Sequence, residues 1–211
     1  MASPHTQTVP GARLLIDAWA PGDGSLSAGG LWLRRLAIVA LGIAAIAIAA
    51  KIRVPFWPVP MTMQTFVILS LGAACGPRLA LGTILGYLTI GALGFDVFTS
   101  SSADNNGIAY MLGGTGGYLL GYVLAVVALG LLAERGWDRS PWSLLGAMLI
   151  GQVLIFAPGL LWLGHLYAET KGWAWTVEVG LTPFLLGEVL KMALAMLLFP
   201  MLWRSVGKAR G

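Results

Sequence analysis

Apolar residues run in long blocks along this chain, at about 33–50, 61–76, 79–95, 109–133, 142–166 and 181–203, with turn residues or charges between the blocks. A helix needs about 20 mostly apolar residues to cross the hydrocarbon core of a bilayer, so each block is a candidate span. The pattern predicts an all-α membrane protein with about six transmembrane helices. An even number of crossings places both termini on one side, and Lys and Arg then decide which side that is. Arg13, Arg34, Arg35, Arg78, Arg135, Arg139, Arg204, Lys208 and Arg210 collect on one side; Lys51, Arg53 and Lys171 fall on the other, and Lys191 lies inside the last block. By the positive-inside rule both termini are expected in the cytoplasm. Trp32, Trp142 and Trp203 near the inner ends, and Trp57, Trp173 and Trp175 in the outer connections, fit interfacial anchors. Residues 1–30 read as a flexible cytoplasmic tail, within which Leu14–Trp19 is the stretch suited to lie along the interface. Residues 31–211 then form one six-helix, substrate-binding transmembrane domain.

Composition sharpens this picture. Of the 211 residues 57% are hydrophobic and 10% charged, against about 25% charged in an ordinary soluble domain. The net charge of +4 is scattered between apolar blocks rather than gathered on a face, so no nucleic-acid partner is expected. One cysteine, Cys75, excludes an internal disulfide, and His5 and His165 stand alone without metal-ligand spacing. HExxH, GxSxG and GxxxxGK[ST] are all absent, so neither an enzyme, a cofactor, a metal nor a nucleotide site is expected in this chain.

The chemistry gathers in a few places. In the last block, Glu188 and Lys191 stand three residues apart on one helix face. Charges at membrane depth cost at least about 2.5–3.5 kcal/mol each on insertion scales, so they mark a ligand site in preference to a purely structural ion pair. The run Val54-Pro55-Phe56-Trp57-Pro58-Val59-Pro60-Met61-Thr62-Met63-Gln64-Thr65 forces an extended outer connection whose Thr62, Gln64 and Thr65 either cap the next helix or meet a small polar ligand. Gly113, Gly117 and Gly121 form a small-xxx-small stripe in GGTGGYLLGY, read chiefly as helix packing. Ala40, Ala44, Ala45 and Ala49 form overlapping stripes of the same kind on the first helix, suited to a partner helix. The 96–106 connection, with Asn105 and Asn106, is read as a polar lid over an outward pocket, a solvated loop being the alternative.

Taken together and in this order, VPFWPVPMTMQTF, GGTGGYLLGY and TPFLLGEVLKMALA resemble the BioY family, the biotin-binding S components of energy-coupling factor transporters. The resemblance covers about 33–203. It implies a multi-pass protein of the bacterial inner membrane that binds biotin from outside and works with a transmembrane coupling protein and ABC-type ATPases. It places Thr62 and Gln64, then Thr115, Gly116, Gly117 and Tyr118, then Glu188 and Lys191 in the family's motifs, the last two near the ureido ring. Phe98, Tyr118 and Trp57 are candidate ring walls. The chain departs from the family pattern at Gly114, Asp96 and Glu188, where proline, proline and aspartate are usual, and no arginine precedes Gly113 to hold the biotin carboxylate; that role is expected to pass to Lys191 or to backbone N–H groups. An S component for another vitamin, a membrane-embedded enzyme and a solitary carrier are the alternatives.

Overall fold

The computed structural model describes residues 14–19, 27–54, 59–102 and 105–208. Eight helices account for most of them: α1 (Leu15–Trp19), α2 (Ala28–Lys51), α3 (Gln64–Ala92), α4 (Gly107–Met111), α5 (Gly116–Glu134), α6 (Pro141–Lys171), α7 (Trp173–Gly180) and α8 (Leu185–Lys208). Among the described residues, five stretches are long and apolar enough to cross a membrane: Ala28–Lys51, Gln64–Ala92, Gly116–Glu134, Pro141–Lys171 and Trp173–Ser205.

The second of these is two crossings. Pro77 disfavours helical geometry in the residue before it and has no N–H to donate. Gly76 takes the left-handed conformation that only glycine adopts at little cost, with φ 74° and ψ 174°. Gln64 and Tyr87 stand 23 positions apart, about 34 Å along a straight helix, yet their side chains meet at 2.8 Å. Thus α3 folds back on itself at Gly76, and its two arms correspond to the second and third of the six apolar blocks. The bend is seated on α5, where the missing side chain of Gly130 lets Pro77 lie directly against the helix.

Residues 64–75 make a first arm of only about 18 Å at 1.5 Å per residue, shorter than a hydrocarbon core of about 30 Å. The chain before it is not helical: Arg53–Val54 (β1) and Met61–Thr62 (β2) pair antiparallel, Arg53 opposite Thr62 and Val54 opposite Met61. Irregular backbone inside a membrane protein is tolerated where it lines a cavity, and that is its place here.

The arms of α3 lie between α2 and α5, α5 packs on α6, and α8 closes against α6 and α3. A Cβ on Gly121 would stand 2.6 Å from Ile155 Cα, and one on Gly117 would overlap the Pro158 carbonyl, so α5 and α6 touch backbone to backbone. The packing role expected of the glycine stripe is therefore what Gly117 and Gly121 perform; Gly113 instead sits in the loop before α5, its carbonyl accepting from Trp162 Nε1 at 2.9 Å. The small-residue stripe of α2 divides. Ala40 and Ala44 are exposed and Ala45 is half-buried, but Ala49 is buried within the chain, because α2 turns that end of its face toward α3. At the chain-end face, α1 packs on α3 and α8 with Leu15 and Ala18 buried, and Arg34 donates to the Ile16 carbonyl at 3.3 Å. The Leu14–Trp19 stretch is thus tucked into the helix ends, whereas 1–13 and 20–26 lie outside the described residues.

Candidate functional site

On the face remote from the chain ends, the non-helical stretch before α3, the two arms of α3, the loop after α3, α5, α6 and the start of α8 surround a cavity with about 30 Å³ of enclosed room, or about 530 Å³ when the open space at its mouth and between its walls is counted. Its lining is mostly apolar and aromatic: Val59, Pro60, Tyr87, Phe98, Tyr110, Tyr118, Leu119, Tyr122, Ile155, Phe156 and Phe184. Thr62, Gln64, Thr65, Thr99, Thr115 and Glu188 supply its polar atoms. Glu188 is the one charged residue among them, and only 4% exposed.

Glu188 is held from three sides. Thr65, in the first turn of α3, donates its hydroxyl to the carboxylate at 2.9 Å. Gln152 of α6 donates from Nε2 to Oε2 at 2.5 Å. Lys191, one turn along α8, lies 2.8 Å from Oε1. The same ammonium donates to Thr65 Oγ1 at 2.9 Å and to the Thr62 carbonyl, so its three protons are all engaged. Thr62 is positioned by β2, and its hydroxyl accepts from the Gln64 N–H at 3.1 Å. A capping role and a place in the cavity wall thus coincide in this residue.

Gln64 donates to the Tyr87 hydroxyl, which passes its own proton to the Val97 carbonyl at 3.0 Å. Phe98 is buried, stacked on Tyr110 at 4.7 Å between centroids and meeting Tyr87 edge-on at 5.5 Å. The loop carrying Phe98 is fastened from outside. Lys51 bonds Asp96 at 2.6 Å and the Phe98 carbonyl at 2.8 Å, and Arg53 donates to the Thr99 carbonyl and to Ser100 Oγ at 2.7 Å. The Lys51 and Ser101 hydrogen bonds hold the Asp96 carboxyl below its ordinary range. On the opposite wall, Tyr118 donates to the Gly180 carbonyl at 2.8 Å.

Of the residues singled out from sequence, the cavity gathers Thr62, Gln64, Thr115, Tyr118, Phe98 and Glu188. Lys191 stands behind Glu188 rather than on the wall, its protons spent, which leaves it without a free donor for a ligand carboxylate. Gly116 and Gly117 do not line it; they let α5 approach Met111 and α6. Asn105 and Asn106 do not line it either: Asn105 is exposed and bridges to Ser102, and Asn106 precedes α4. The loop contributes Phe98 and Thr99 instead, because its buried side chains, not its polar tip, turn inward. Trp57 lies outside the described residues. Gln152, Tyr87, Tyr110, Tyr122, Phe156 and Phe184 went unnoticed in the sequence. Only Gln152 left a signal there, as a lone amide in an apolar run.

The model of the BioY family matches residues 22–208. The probable biotin transporter BioY of Pyrococcus horikoshii is 34% identical over 165 residues, covering 78% of this chain and 93% of its own. Biotin transporter BioY2 of Lactococcus lactis subsp. cremoris is 32% identical over 165 residues, covering 77% and 86%. Among solved structures, the S-component for biotin from an ECF-type ABC transporter superposes with a TM-score of 0.70 at 22% identity, over 85% of this chain and 95% of that one, a likeness of fold.

Proposed function

Because the chain belongs to the BioY family, we propose that it is the biotin-capturing subunit of an energy-coupling factor transporter, a multi-pass protein of the cytoplasmic membrane. The observation that carries this reading is the enclosed aromatic cavity with a single carboxylate at one side. A bicyclic ligand with a polar ureido edge and an apolar tail suits the chemistry of such a lining, since small-ligand pockets are mostly apolar with a few fixed polar groups. Glu188 accepts a ureido N–H. Gln64, with one amide proton on Tyr87, keeps the other for the ureido oxygen. The valerate chain runs toward the mouth near Phe98 and Thr99, where Lys51 and Arg53 supply positive charge for its carboxylate.

Both termini then face the cytoplasm, and the site opens to the outside. Energy comes from a transmembrane coupling protein and ABC-type ATPases. The exposed part of the α2 stripe, Ala40 and Ala44, is the docking surface for the coupling protein, because small side chains let helices approach closely. Changing both residues to leucine is expected to leave biotin affinity intact while the coupling subunits no longer co-purify; unaltered assembly would refute the assignment.

The decisive test of the ligand is equilibrium binding of biotin to detergent-purified protein, wild type beside Glu188→Ala and Lys191→Ala. Binding by the wild type and its loss in both variants is the expected result. Folded wild-type protein that ignores biotin but binds another vitamin would move the assignment to that ligand.

A further inference from the structure

We propose that Gln152, which does not line the cavity, determines which ligands Glu188 accepts. The inference rests on the biotin reading above and extends it to a residue behind the wall.

Gln152 is 8% exposed and sits between apolar turns of α6. Its Nε2 donates to Glu188 Oε2 at 2.5 Å, while its own Oε1 is buried without a hydrogen-bond partner. An orphaned buried carbonyl counts against stability. Packing therefore does not account for this residue, since leucine would fill the same helix face with no orphan. Its orientation is fixed by the carboxylate, because the amide turned over would set oxygen against oxygen.

A carboxylate offers about four lone-pair positions. Thr65 has one proton to give, Lys191 directs one of its three here, and Gln152 gives one. About one position remains for the cavity by the same count. Glu188 thus presents a single acceptor of fixed direction and no donor. The ligand edge that fits is one N–H of a cyclic urea. An edge bearing a methyl group or an oxygen at that point leaves the acceptor unpaired, and sites built on such a hydrogen bond reject analogues lacking it strongly. Without Gln152, Oε2 keeps only its share of the Thr65 hydroxyl, at 3.0 Å, the carboxylate pivots about its contacts with Thr65 and Lys191, and this selectivity is lost while the pocket survives.

The test measures binding of biotin and of its two mono-N-methyl ureido derivatives to the full chain in detergent, wild type beside Gln152→Leu and Gln152→Met, with the unfolding temperature of each as a check on folding. The wild type is expected to reject one derivative by roughly 100-fold or more. In the variants biotin weakens about tenfold, and the rejection shrinks below about tenfold. A preserved ratio, whatever happens to the affinities, overturns the proposal, as does misfolding of both variants, which would make Gln152 a structural residue. Wild-type protein that binds no biotin overturns the functional reading, and this inference with it.

Discussion

At the scale of single residues, the cost of placing charge in a membrane is met locally. Glu188 and Lys191 are both buried, and each finds its partners among only four other groups: Thr62, Thr65, Gln152 and one another. Removing one member of such a pair leaves an uncompensated buried charge, typically about 3–5 kcal/mol. Lys191→Met is expected to lower unfolding stability in detergent by an amount of that order, and Glu188→Gln in the same chain to restore part of it. Recovery would separate the electrostatic role of Lys191 from any contact with ligand. These residues were visible in the sequence because ionisable and amide side chains stand out from an apolar run. Tyr87, Tyr122, Phe156 and Phe184 were not visible, since an aromatic residue lining a cavity and one filling a core look alike until neighbouring helices are placed.

At the scale of elements, hydrophobic blocks located every crossing but not their junctions. The Gly76-Pro77-Arg78 interruption separated two blocks, and the structure keeps both as arms of α3 joined at a single non-helical residue. The last block was placed from 181, whereas helix begins again at Trp173 and passes through a 3-10 turn at Thr182–Phe184 before α8. Interfacial tryptophan and a proline obscured that continuity. The α5–α6 contact is a tight inter-helix constraint, because backbone meets backbone at Gly117 and Gly121. Gly121→Leu is expected to drive these helices apart and cost at least about 1–3 kcal/mol, the usual range for overpacking, read as loss of monodisperse protein on size-exclusion chromatography. Ala40→Leu, on the exposed part of α2, is expected to leave that profile unchanged.

Across the whole molecule, the face bearing the chain ends is also tied together. The turn between α5 and α6 buries Asp138, which is 1% exposed and accepts from Trp203 Nε1 of α8 at 2.9 Å, while Arg139 lies over the same indole. Burial raises the Asp138 carboxyl to about 6, with the Trp203 hydrogen bond opposing. Unfolded aspartate titrates near 3.9, so between about pH 4 and 6 the folded chain binds more protons than the unfolded one. Stability from this group is therefore fully present below about pH 4 and is lost as pH rises through about 6. Asp138→Asn is expected to flatten the fall in unfolding temperature across that interval, measured in detergent from pH 4 to 7. Nothing in the sequence marked Asp138, since its burial depends on where the last helix returns.

The three-residue spacing of Glu188 and Lys191 also bears on how the protein is made. On a helix this spacing sets both side chains on one face, so the 2.8 Å contact forms within α8 itself. Within the apolar part of the last helix the two charges cancel, Arg204 and Lys208 lying toward its end, so that part can enter the bilayer with its own ion pair formed, before it docks on Thr65 and Gln152. Biogenesis and recognition thus draw on the same ion pair: what makes the final helix insertable is what later fixes the acceptor at the centre of the site.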